Sequence, residues 1–201
     1  MSAAPPTNLQ FTLRRLLIVI GAIGLAIGAL VGGWRLYFHW LYPYGRSHCC
    51  DTGLWASLQS YAASHGGAFP AGEATPEASM SLLYPKHADA NALRGKIVPL
   101  AEVEAALKKN GRLDPTTCGW HYVEGLTTSD DGTIAVLWDK VGLGHNGERL
   151  PQGDHDVLFL SGHTERISGD QWQAFLEEQK KLFESRPTQP GQSTASAPET
   201  R

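Results

Sequence analysis

His145, Asp154, His155, Asp156, His163 and Glu165 crowd into one short C-terminal stretch, and they are residue types that hold zinc or similar ions. Imidazole offers a neutral nitrogen and carboxylate a hard oxygen, so Asp154, Asp156, His145 and His163 are the candidate ligands. If the segment forms a hairpin, His163 and Glu165 stand two apart and share one face of a strand. The same composition also suits a solvated loop and strand edge. No His-Glu-x-x-His run or spaced carboxylate pair accompanies the cluster. Gly144-His145-Asn146-Gly147 lacks the strand–turn–helix setting of a nucleophile elbow or a phosphate loop. The expectation is therefore a chain without catalytic activity and without a required cofactor, with zinc or a similar ion as the candidate.

The three cysteines are Cys49, Cys50 and Cys118. Their number is odd and no Cys-x-x-Cys spacing is present, which speaks against a metal site. Adjacent cysteines seldom bridge each other. In an exported domain, Cys118 would pair with either Cys49 or Cys50, and the remaining thiol would stay free.

The elements that must position these groups begin with an anchor. Leu16 to Trp34 contains no charged residue, and its length meets the ~20 residues a helix needs to cross a bilayer. It lacks the small-residue cleavage site of a secretory signal, so an uncleaved span is expected. Trp34, Tyr37, Trp40, Tyr42 and Tyr44 follow, as rings do where a chain leaves the membrane. Every Asp and Glu lies after Gly45, and the formal net charge is −3. A mildly acidic folded part argues against a nucleic-acid partner. Arg14 and Arg15 before the span are matched by Arg35 and Arg46 after it, so the charge bias is weak. The short N-terminus has little to translocate. A single-pass inner-membrane protein is expected, N-terminus cytoplasmic and C-terminal domain extracytoplasmic.

Composition divides the rest of the chain. Residues 1–10 read as a disordered N-terminus, 11–34 as the anchor and 35–51 as a linker broken by Pro43 and Gly45. Residues 52–185 form one domain, and 186–201 a Pro/Ser/Thr/Gln-rich disordered tail. Leu54, Leu58, Tyr61 and Ala62 mark a helix from about Thr52 to His65, stopped by Gly66-Gly67. Short helical pieces such as Ala78 to Leu83 precede an amphipathic helix over Leu100 to Lys109, with Gly111 just past it. Strands are expected over Trp120 to Val123, Ile134 to Trp138, Asp156 to Leu160 and Thr164 to Ile167. The last two flank a tight Ser161-Gly162 turn. A closing helix covers Asp170 to Ser185. Helices before strands make an α+β fold with an antiparallel sheet.

Three patches resemble the type II secretion pseudopilins and related prepilin-like proteins. That family opens with Phe-Thr-Leu feeding an apolar helix, matched by Phe11-Thr12-Leu13 ahead of Leu16-Leu17-Ile18-Val19-Ile20. Its first helix closes on a Leu…Leu…Tyr pattern, then Gly, an aromatic and Pro. Here these are Leu54, Leu58 and Tyr61, then Gly66-Gly67-Ala68-Phe69-Pro70. Many members end in His-Gly followed by Asn-Val-Leu-Phe-Ala-Asp-Gly-His-Val-Glu. The counterparts are His145-Asn146-Gly147 and Asp156-Val157-Leu158-Phe159-Leu160-Ser161-Gly162-His163-Thr164-Glu165. The resemblance implies a pilin-like head and partners among envelope or secretion-system proteins, with no small-molecule substrate indicated. Some members hold calcium in a C-terminal loop, which would fall to Asp154 and Asp156. Two positions depart from the pattern. Gln10 stands where the processing peptidase needs Gly, and Arg15 replaces the Glu that neutralises a neighbour's new N-terminus. A cation facing a cation in lipid is costly, so the polymerisation chemistry is expected to be lost.

Overall fold

The computed structural model describes residues 8–46 and 51–186, which fall into two compact units. The stretch before Asn8, Cys49 and Cys50, and the expected tail beyond Arg186 lie outside the described residues.

The first unit is one helix, α1 (Asn8–Leu41). Within Leu13–Leu41 the most apolar 18-residue stretch has a mean hydropathy of 2.5, and none of it is buried in the chain. Leu17, Leu25 and Leu30 are all exposed, so no polar face relieves the apolar surface. By length and composition it is a helix able to cross a membrane. It begins inside the segment expected to be disordered and runs past Trp34, because no breaker intervenes before Pro43. The proline restricts the residue before it, and the chain then turns through Gly45, whose N–H meets the Tyr42 carbonyl at 3.1 Å.

The second unit starts with α2 (Asp51–Ser64). Leu54, Leu58 and Ala62 recur at every fourth residue and are fully buried. Gly66 and Gly67 both adopt positive φ and end the helix. Thr75 caps α3 (Pro76–Met80) by accepting from the Ala78 N–H, with Pro76 at the first helical position. A 3-10 turn (Ser81–Leu83) follows, then α4 (Ala90–Leu93) capped by Asp89, and α5 (Leu100–Asn110). Helix α5 buries Val103 and Leu107 and ends on Gly111 at φ 65°.

Strands β1 (Trp120–Tyr122), β2 (Ala135–Asp139), β3 (His155–Phe159) and β4 (Thr164–Ile167) form one antiparallel sheet in sequence order. The fold is thus α+β with a small four-stranded antiparallel sheet. Helix α6 (Trp172–Glu184) lies on one face, where Trp172 meets Trp138 and His155, and Phe175 meets Phe159. The other face carries Trp120, Tyr122, Leu137 and Leu158 toward the helical layer. There the Trp120 indole donates to the Ala92 carbonyl and the Tyr122 hydroxyl to that of Pro70. Strand β3 is interior and apolar on both faces, with Val157, Leu158 and Phe159 all buried.

Further features of the second unit differ from expectation. The β3–β4 connection is not a two-residue turn. Gly162 donates to the Phe159 carbonyl at 2.8 Å, and the Phe159 N–H reaches the His163 carbonyl at 3.0 Å. This is a three-residue loop with Gly162 at φ 86°, which sets Asp156 opposite Arg166. Arg186, expected to open the tail, instead closes the domain. It donates to the Gly125 carbonyl at 2.9 Å and covers the Phe183 ring.

Candidate functional site

Strand pairing lays the floor of an open hollow lined by polar residue types. Asp156 on β3 faces Arg166 on β4, and the guanidinium grips the carboxylate through Nε–Oδ1 at 2.8 Å and Nη2–Oδ2 at 3.2 Å. A bidentate pair fixes the plane of both groups, and it holds the Arg166 pKa above its usual value. Thr164, two residues back on β4, shares that face. Thr52 in the first turn of α2 forms one wall.

His145 forms the other wall, at the tip of a turn closed by the Leu143–Arg149 bridge. The Gly144 N–H meets the Glu148 carbonyl at 2.7 Å, and the Asn146 N–H meets a Glu148 carboxylate oxygen at 2.8 Å. Gly142 lets this turn press against β3, since a Cβ there would come within 2.3 Å of the Asp154 carbonyl. The open hollow between these walls holds about 390 Å³.

The structure divides the expected metal ligands. His145 and Asp156 meet in the hollow. Asp154 instead accepts the Gly169 N–H at 3.0 Å. His163 lies on the α6 face, its ring stacked on Phe159 at 4.6 Å and its Nδ1 2.5 Å from the Ser161 hydroxyl. It shares that face with Glu165, as expected of residues two apart, at 3.8 Å. Among the described residues, no group of three or more His, Cys, Asp or Glu side chains converges as a metal centre requires. The four candidates do not form one ligand set.

His155 belongs to a different environment. It stacks on Trp172 at 4.0 Å, and burial pulls its pKa down, offset in part by a hydrogen bond to the Asp139 backbone and by Asp154 and Asp156. Its Nδ1 is buried with no hydrogen-bond partner among the described residues. Cys118 is a free, buried thiol directed at the Leu93 carbonyl, with its pKa pushed up to about 12 by burial. Its expected partners, Cys49 and Cys50, lie outside the described residues.

Arg166, Thr52 and Thr164 were not among the sequence candidates. Neither was Lys96, whose ammonium is fully buried against Asp139 and lies 5.7 Å from the Trp120 ring. No family model, no curated protein and no solved structure matches the chain.

Proposed function

We propose that this is a membrane-anchored structural or interaction protein, without catalytic activity, that displays a pilin-like head on the outer side of an inner bacterial membrane. The observation that carries this reading is α1. Its apolar residues are exposed all round, and they continue covalently into a folded α+β unit. A water-exposed apolar surface of that extent would drive aggregation, whereas lipid accommodates it. The aromatic side chains at its C-terminal end support the placement, with Trp34, Tyr37 and Trp40 in tilted pairs near 6 Å. The head would then work by contact with other envelope or secretion-system proteins.

A minor pseudopilin of a secretion or pilus machine is a second reading, supported by Phe11-Thr12-Leu13 and the hairpin motif. A metal-binding role is a third, supported only by His145 and Asp156 sharing one hollow. Alkaline carbonate extraction of membranes, followed by protease shaving of intact spheroplasts, tests the first. The chain is expected to stay in the lipid fraction and lose its head to external protease. Release into the soluble fraction would overturn the anchor, and protection of the head would overturn the orientation.

A further inference from the structure

We propose that the hollow between the β3–β4 hairpin, the first turn of α2 and the 143–149 turn is a binding site for an oxyanion, the carboxylate or phosphoryl group of a small polar ligand. All five lining residues, Thr52, His145, Asp156, Thr164 and Arg166, are polar. Which of their groups remain open decides the sign of the ligand.

Asp156 has each oxygen engaged by Arg166, and its side chain is only 12 % exposed. The guanidinium is thus held by one edge. Its Nη1 group and the second Nη2 hydrogen stay open on a side chain that is 52 % exposed. An arginine oriented from behind by a carboxylate presents a fixed fork to a second carboxylate or phosphate. The Thr52 and Thr164 hydroxyls carry no hydrogen bond within the described residues. Asp154 and Glu148, whose charges also reach Arg166, are each tied to a backbone N–H, of Gly169 and Asn146.

The lining therefore offers open donors around an acid that is already satisfied. A ligand rich in acceptor oxygens completes those donors. A metal cation at Asp156 would lie beside the guanidinium already paired with that carboxylate, and like charge opposes it. The volume of about 390 Å³ leaves room for several atoms beyond the anionic group itself.

The test uses the full chain, 15N-labelled, in nanodiscs of zwitterionic lipid, titrated with inorganic phosphate and with acetate. The site predicts saturable shifts of the Thr164, Arg166 and His145 amides, with a Kd on the order of 1 mM for such fragments. Arg166→Gln abolishes them. Thr164→Val, close to isosteric and on an exposed strand, leaves the rest of the spectrum in place and weakens binding about tenfold. Nanodiscs containing phosphatidylglycerol, with no added anion, separate the sources. Shifts at the same amides there assign the oxyanion to a lipid headgroup, and shifts with free phosphate alone assign it to a soluble ligand. Either supports the site. Absence of a saturable shift with both anions and with the anionic lipid overturns it, as do equal shifts in wild type and Thr164→Val. Shifts produced only by Zn2+ and reversed by chelator overturn it in favour of a cation site. None of these readouts depends on which face of the membrane carries the head.

Discussion

Lys96 and Asp139 are an ion pair with side-chain exposures of 0 and 2 %, joined across 43 residues of sequence. Burying two charges costs several kcal/mol each, and their attraction recovers it only while both are present. Lys96→Met in the full chain should therefore cost about 3–5 kcal/mol in denaturant unfolding, because it strands the Asp139 carboxylate. Lys96→Met with Asp139→Leu should recover most of that loss. A double variant as unstable as the single one would mean that the loss does not come from a stranded Asp139 charge but from another ammonium contact such as the Leu143 carbonyl. The pair was invisible in the sequence, since nothing local to Gly95-Lys96 or to Trp138-Asp139 signals the other. His155 was visible as a residue type but not as a buried one. Burial lowers its folded pKa below the ordinary value of 6.5, so the unfolded chain binds the proton more readily. Stability from this group is complete above 6.5 and drains away as pH falls toward the lowered value. His121, also shifted down chiefly by burial, acts in the same direction. The melting temperature should drop between pH 7 and about 5, and His155→Gln should flatten that slope. Superimposable pH profiles for the two proteins would show that other groups set it.

At the scale of elements, local signals mostly sufficed. The leucine spacing of α2 and the Gly111 stop of α5 each follow from residue chemistry within a few positions. Helix α6 starts at Trp172 rather than Asp170 because Ser168 and Asp170 spend their side chains on each other, and Gln171 N–H closes a turn onto Ser168. The hairpin is the instructive case. A two-residue turn at Ser161-Gly162 would put Asp156 opposite Ile167. The three-residue loop puts it opposite Arg166 and so builds the floor of the hollow. One residue of register separates a visible acid from a visible site. Packing from a distant element helps to set that choice. The Trp55 indole of α2 sits where a Cβ on Gly162 would approach its Nε1 to 2.5 Å, and Gly162 also has φ 86°. Gly162→Ala should cost ~1–3 kcal/mol by adding a clash to the backbone strain. Gly66→Ala, at φ 65° with open space around its Cβ, should cost only the ~1–2 kcal/mol of strain. Trp55→Phe should soften the Gly162→Ala defect and leave Gly66→Ala unchanged. Equal losses at both glycines, unaffected by Trp55, would remove the indole from the account.

For the molecule as a whole, the apolar helix was the most legible feature because its signal is compositional and needs no tertiary partner. The head was legible as a class, not as a surface: its ion pairs and its hollow arise from residues far apart in sequence. On the proposed reading, what the chain assembles with turns on its first residues. In prepilin-like proteins a peptidase cuts ahead of the Phe-Thr-Leu signature after a glycine, and a glutamate five residues on receives the freed amine of a neighbour. If the resemblance holds, Gln10 and Arg15 fall at those positions here. The longer glutamine side chain stands where that peptidase accepts a glycine. Arg15 would oppose a second positive charge where lipid screens neither. Intact mass of the chain extracted from membranes should therefore show the residues ahead of Phe11 retained and no methyl group on a Phe11 amine. Exchanging both positions, Gln10→Gly with Arg15→Glu, should create a substrate that a co-expressed prepilin peptidase shortens to begin at Phe11. A wild-type chain already beginning at Phe11 would restore a filament subunit as the better reading of this fold.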